Sequence, residues 1–171
     1  LDHDILPFED NYAYLGFEAR RLIIDLLNQV ADDPSLTLDA LIYESKEPDV
    51  LRRLEALGGR GRAIVDDHGE QGEEASAETV SANRLVAAGA EVKRMHFGRQ
   101  QHNKVLIVRR DRQPVRGLTG STNYSLRGLY IQANNALVFD DPGVAAKYGE
   151  LFDTYWTSPK KFRQNALSQN L

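Results

Sequence analysis

Residues 101–108 read Gln-His-Asn-Lys-Val-Leu-Ile-Val, and 102–108 is the most strongly apolar strand candidate of the chain. On a strand, residues two apart share a face, so His102 and Lys104 project together while Asn103 points away. Working outward, the apolar pattern switches period several times, as in an α/β chain. Downstream, 115–119 and 135–140 read as two further strands, and a final helix opens with Asp141 as cap and Pro142 at its first position. Its expected core face is Val144, Tyr148, Leu151, Phe152 and Tyr155, and the polar tail after Trp156 is expected to fray. Upstream, 91–95 is a strand and 78–88 a helix ended by Gly89. The acidic, Gly-containing stretch 68–77 has no periodicity and reads as a mobile loop. Before it, strand 36–43 (LTLDALIY), a helix opened by Pro48 and strand 62–66 form a crossover unit with parallel strands. Leu22, Ile23, Leu26, Leu27 and Val30 recur at helical spacing and make 12–30 a helix.

The 171 residues hold no internal repeat, low-complexity tract or dividing linker, so one domain over 1–171 is expected. With 42% apolar and 27% charged residues the composition excludes wholesale disorder, and no run of about 18 apolar residues offers a membrane span. There is no cysteine, which removes disulfides, thiolate metal sites and a cysteine nucleophile together. Four histidines, His3, His68, His96 and His102, bound any imidazole chemistry. The sequence opens at Leu1 without Met or an apolar leader, so a processed product or one piece of a longer chain is expected, with a cytoplasmic location. From Lys93 to Arg127 nine Lys and Arg face one acid, Asp111, a local charge of +8 in a chain of net −4. Such an island reads either as an anion-binding surface or as solvated arginines on a hairpin.

The chemistry concentrates in the same stretch. A histidine beside an ammonium suits attack on a phosphate diester: the imidazole as nucleophile, the fixed cation as support for charge on the non-bridging oxygens. Sixteen residues beyond Lys104 comes Gly120-Ser121-Thr122-Asn123, where glycine admits an anion to the backbone and Ser and Asn supply neutral donors. The same run also reads as a turn or helix cap before Tyr124. Phe97, Tyr124 and Tyr130 either stack bases beside the site or pack in the core. His96 reads as structural and His68 as solvated.

His-x-Lys followed by Gly-Ser-x-Asn resembles the phospholipase D superfamily of HKD phosphodiesterases, most closely its short bacterial nuclease branch. The run QHNKVLIV…LTGSTNYSLRG…ANNALVF carries the likeness, which extends over about residues 12–156. The resemblance implies a phospholipase D-like domain, a mixed β-sheet flanked by helices on both faces. It further implies His102 as the nucleophile forming a phosphohistidine, Lys104 as the phosphate-binding cation, and Ser121 and Asn123 as the hydrogen-bonding pair. Gly120, Asn134, Asn135, Arg99 and Arg109 are the expected substrate contacts. No metal and no cofactor are implied, and the sequence has no carboxylate cluster at ligand spacing.

Two positions depart from the motif. Its Asp falls at 109, which is Arg109 here, with Asp111 two residues late. The carboxylate that some relatives place before the Asn-Ala of the last strand is Asn134 here, an acceptor without charge. The leading expectation is a metal-independent phosphodiesterase, a nuclease on DNA or RNA without stable membrane insertion, since no exposed apolar segment stands out. A phospholipase D or phosphatidyl transferase, and a catalytically weakened nucleic-acid-binding module, remain the alternatives. One His-x-Lys motif leaves the leaving oxygen without an acid. A homodimer with His102 of each copy facing the other across the two-fold axis is therefore expected, or else one half of a longer two-motif chain.

Overall fold

The computed structural model describes residues 9–157 together with 162 and 166; His3 and most of the polar tail lie outside them. Six strands form one sheet in the order β3-β2-β1-β4-β5-β6. β1 (Leu36–Ile42), β2 (Gly61–Val65) and β3 (Glu91–Arg94) run parallel, and β4 (Lys104–Arg110), β5 (Gln113–Gly120) and β6 (Ala136–Phe139) continue antiparallel from β1. The mixed sheet is thus the expected one, with parallel β1 and β2. The two central strands, β1 and β4, are buried nearly throughout because both of their faces are covered.

The pleat divides the core. Leu38, Ala40, Ile42, Leu106 and Val108 pack with α1 (Glu9–Asp32), α2 (Pro48–Ala56), α3 (Ala77–Ala87) and the short α4 (Leu126–Tyr130). Leu41, Val105 and Ile107 pack with Phe152 and Tyr155 of α5 (Pro142–Thr157). Helices therefore flank both faces. Pro48 opens α2 as expected, and the Glu47 carboxylate caps it by accepting from Val50 N at 2.6 Å.

Four expectations are corrected. The strand at 102–108 begins at Lys104, so His102 precedes the sheet. The residue before it, Gln101, is bonded to strand ends through its backbone and side chain and does not enter the ladder. The last helix is capped by Asp141, which accepts from Gly143 N at 2.7 Å and Val144 N at 3.0 Å, but Val144 is 42% exposed. The buried line runs instead through Ala145, Gly149 and Phe152, because α5 lies so close to β5 that a Cβ at Gly149 would stand 2.3 Å from Pro114. The stretch 68–77 contains a 3₁₀ turn, Gly69–Gly72, fastened by Arg94, which donates to Gln71 O and to Asp66 O. Finally, exposed apolar side chains do cluster: Tyr14, Leu15 and Phe17 line the start of α1, which is broken at Phe17 (φ 44°).

Candidate functional site

Strand direction brings the chemistry to one edge. β1, β2 and β5 end there, and β4 and β6 begin there, so Tyr43, Asp66, His102, Lys104, Gly120 and Asn135 all lie along one rim of the sheet. Ile42 is paired with Lys104, which sets Tyr43 beside the His-x-Lys segment.

His102 is held between two fastened neighbours. The buried Asp66 carboxylate accepts from Gln101 N and, at 3.1 Å, from His68 N. The Gln101 amide donates to Ile42 O (3.3 Å) and Ile64 O (3.2 Å), bridging the ends of β1 and β2, while its oxygen accepts from Asn103 N at 2.7 Å. Between these residues the imidazole is exposed, and its ring centroid lies 4.3 Å from that of Tyr43 at an edge angle of 64°. Partial desolvation lowers the His102 pKa below the usual 6.5, and the Lys104 charge lowers it further; Asp66 and Glu44 oppose both. The neutral imidazole is the nucleophilic form.

Lys104 is 4% exposed, and among the described residues Glu44 and Asp66 attract it without forming an ion pair. Its ammonium donates to His102 O at 2.7 Å and stands 4.7 Å from the centre of the Tyr43 ring. Burial pushes its pKa down to about 8, against the pull of Glu44 and Asp66. His102 and Lys104 are thus brought together as expected, with Tyr43 in contact with both. Tyr43, Asp66 and Gln101 carry no motif signature and escaped the sequence reading.

The second motif stands at the same rim and is braced by the last strand. Ser121 Oγ donates to Asn134 Oδ1 (3.1 Å) and accepts from Asn135 N (3.0 Å), and Thr122 Oγ1 donates to Asn135 O (2.7 Å). Asn134 in turn donates to Gly128 O at 2.9 Å. Gly120 has φ +152°, and a Cβ there would meet Asn135 O at 2.3 Å, so only glycine fits. Asn134 and Asn135 therefore hold the turn, and neither bonds to the His102 ring. Asn123 Oδ1 is buried without a hydrogen-bond partner among the described residues.

Arg109 does not join these residues. It lies five positions along β4 from Lys104, roughly 17 Å away, and by the pleat it faces the opposite side. There it is buried, bonding to Asp39 through Nε and to Asp153 through an Nη at 3.0 Å. Arg62 completes the network, with Nε 2.7 Å from Asp39 and an Nη 3.1 Å from Asp153. The departure from the motif at 109 is thus absorbed away from the rim. The basic island is split in the same way. Arg110 pairs with Asp33, Arg116 with Asp140, and Arg112 sits on the exposed β4–β5 turn, where Asp111 and Arg112 both have positive φ. Arg99, exposed in the β3–β4 loop, remains near His102 in sequence. Of the two other described histidines, His96 bonds through Nδ1 to Asp67 at 2.6 Å, and its ring lies 5.4 Å from that of His68. Phe97 stacks on Tyr155, and Tyr124 is fully buried, so both serve packing. Among the described residues no group of three or more His, Asp or Glu is placed to hold a metal ion.

The mixed sheet, with His-x-Lys at its rim and the Gly-Ser-x-Asn turn at the same edge, is the architecture of a phospholipase D-like domain. Residues 24–156 match the family model described as cardiolipin synthase, PLD-like domain, and the chain belongs to that family. The fold is similar to that of Nuc from Salmonella typhimurium, a phospholipase D family member (TM-score 0.65, 24% identity, covering 81% of this chain and 87% of that one). It is also similar to NucT from Helicobacter pylori (TM-score 0.61, 17% identity, 80% and 90% covered). Polyphosphate kinase from Porphyromonas gingivalis shares it at TM-score 0.62 and 16% identity, over 87% of this chain but 25% of the kinase. A comparison with curated proteins returns no match.

Proposed function

We propose that the chain cleaves nucleic acid through a phosphohistidine formed on His102. The observation that carries the proposal is the open position of the pair: an imidazole exposed at the sheet rim beside a buried ammonium that forms no ion pair among the described residues. Ser121, Asn135, Arg99 and Gln100, all exposed, belong to the same rim and its loops, a polar surface over which a polymeric diester can lie. An imidazole nitrogen attacks phosphorus, the bond to the leaving oxygen breaks, and Lys104 supports the charge on the non-bridging oxygens. Water then attacks the same phosphorus and the P–N bond breaks, returning the imidazole. The leaving oxygen takes its proton from His102 of a second copy across a two-fold axis, and that group afterwards activates the water.

The family name supports a second reading, transfer or hydrolysis at a phospholipid head group, to which the exposed Tyr14, Leu15 and Phe17 would contribute a membrane contact. One experiment separates the readings: plasmid, single-stranded DNA and phospholipid vesicles, each incubated with the protein in excess chelator beside His102→Ala. DNA cleavage that survives chelation and vanishes in the variant supports the proposal. Head-group release without nicking selects the lipid reading, and salt-sensitive DNA binding without cleavage selects a binding module. Activity lost to chelator and restored by magnesium overturns the phosphohistidine mechanism.

A further inference from the structure

We infer that Tyr43 is a positioning residue, whose ring fixes the His102 imidazole and the Lys104 ammonium relative to each other and whose hydroxyl ties that arrangement to the Gly69–Gly72 turn. The role deepens the reading of His102 and Lys104 as the reacting pair and rests on it. Three observations support it. First, a buried ammonium needs compensation, and among the described residues the direct contacts of Lys104 are the His102 carbonyl at 2.7 Å and the Tyr43 ring at 4.7 Å, with Glu44 and Asp66 attracting it from further off. A carboxylate in the same place would cancel the charge and repel phosphate, whereas the quadrupole of a ring holds the cation and leaves its charge available. Second, the same ring meets His102 edge-on at 4.3 Å, which limits rotation of an imidazole that has no hydrogen bond to either nitrogen among the described residues. Third, the ring is itself held. The Tyr43 hydroxyl accepts from the Gln71 amide at 3.1 Å and from the Gln100 amide at 3.5 Å. Gln71 is anchored in turn, its carbonyl accepting from Arg94 and Ser76. One side chain thus joins the turn after β2, the loop before β4 and both reactive groups, as a supporting residue should.

The test compares Tyr43→Phe, which keeps the ring, with Tyr43→Leu, which removes it; Tyr43→Met replaces the latter should it fail to fold. Titration of the His102 ring and of the Lys104 ammonium by nuclear magnetic resonance on the substrate-free protein needs no turnover. It therefore reports on Tyr43 whether or not the chain cleaves nucleic acid. In the Phe variant the Lys104 midpoint is expected to stay near that of the parent, with kcat within about threefold. In the ring-less variant the ammonium opens to water, its midpoint rises toward the ordinary 10.5, and kcat falls at least about tenfold with a smaller change in KM. Parent-like Lys104 and His102 titrations in a folded ring-less variant would overturn the inference. So would a Phe variant as impaired as the ring-less one. Altered titrations without cleavage of any diester would instead uphold the role of Tyr43 and count against the proposed reaction.

Discussion

Arg109 on β4 is ion-paired with Asp39 on the adjacent β1, both buried, on the α5 side of the sheet and at the end away from His102. Arg62 and Asp153 close the network around them. The position where the superfamily motif has its Asp is therefore a structural one in this chain, with the acid supplied by the neighbouring strand.

Restoring the motif by Arg109→Asp is accordingly expected to harm the protein. It removes the cation from between two carboxylates and sets a third acid beside Asp39, a loss of about 3–5 kcal/mol on the scale of a broken buried pair. Urea unfolding measures the loss, and turnover of the folded fraction should not rise. A variant as stable as the parent and more active would show that residue 109 acts on the chemistry.

The pH dependence of turnover should be bell-shaped. One His102 must be neutral to attack and the other protonated to release the leaving oxygen, so both limbs begin at the lowered His102 pKa and the optimum lies below pH 6.5. Lys104 must also be protonated to support charge, and its pKa of about 8 steepens the alkaline fall above that pH, well below the range of an ordinary lysine. Lys104→Arg should remove only that steepening. A steepening unchanged in that variant would assign it to another group.

Lys104 should also cost the protein stability. Its pKa is lower folded than unfolded, so the folded chain binds that proton less tightly. The penalty is full below about pH 8 and fades as pH rises toward 10.5, where the unfolded lysine also loses its proton. At pH 7 Lys104→Met is expected to stabilise by about 1–3 kcal/mol, read from the lowered pKa at 1.36 kcal/mol per unit, while abolishing most turnover. Denaturant unfolding of both proteins gives the answer, and a less stable Met variant would refute the account.

Gly120→Ala should displace the second motif. The new methyl group would stand 2.3 Å from Asn135 O, the atom that accepts from Ser121 N and Thr122 N. A loss of about 1–3 kcal/mol is expected from the overpacking and the unfavourable φ, together with weaker pairing of β5 with β6. Thermal unfolding and amide exchange at Ser121 and Thr122 are the checks.

Much of this architecture is written in local pattern. The period-2 and period-3.6 stretches placed six strands and the main helices, and the His-x-Lys and Gly-Ser-x-Asn runs marked the rim. Residue parity along 102–109 already sets Arg109 on the face opposite Lys104, a signal that charge counting obscured. A buried Asp39 in an apolar strand likewise demands a basic partner, but which arginine answers depends on strands being neighbours. Tyr43 and Gln101 were illegible for the same reason. Their roles arise from β4 pairing with β1, a non-local contact that no local window contains. Val144 misled because helical spacing gives a stripe but not how closely the helix approaches, and here Gly149 and Pro114 set that approach.

The β4–β5 turn, exposed and remote from the rim, offers a handle for measurement. Because the chain contains no cysteine, a thiol placed at the neighbouring Gln113 would be unique on each molecule. A spin label there sits about 25 Å from His102, eight residues of extended chain away along β4. Two copies joined at their rims would carry their labels at the outer ends, about 50 Å apart, within the range of pulsed dipolar spectroscopy. Copies joined at their turns would bring the labels close enough to broaden each other's spectra. The geometry of an assembly could thus be ruled from the inert end of the sheet, without a change to any group at the reactive one.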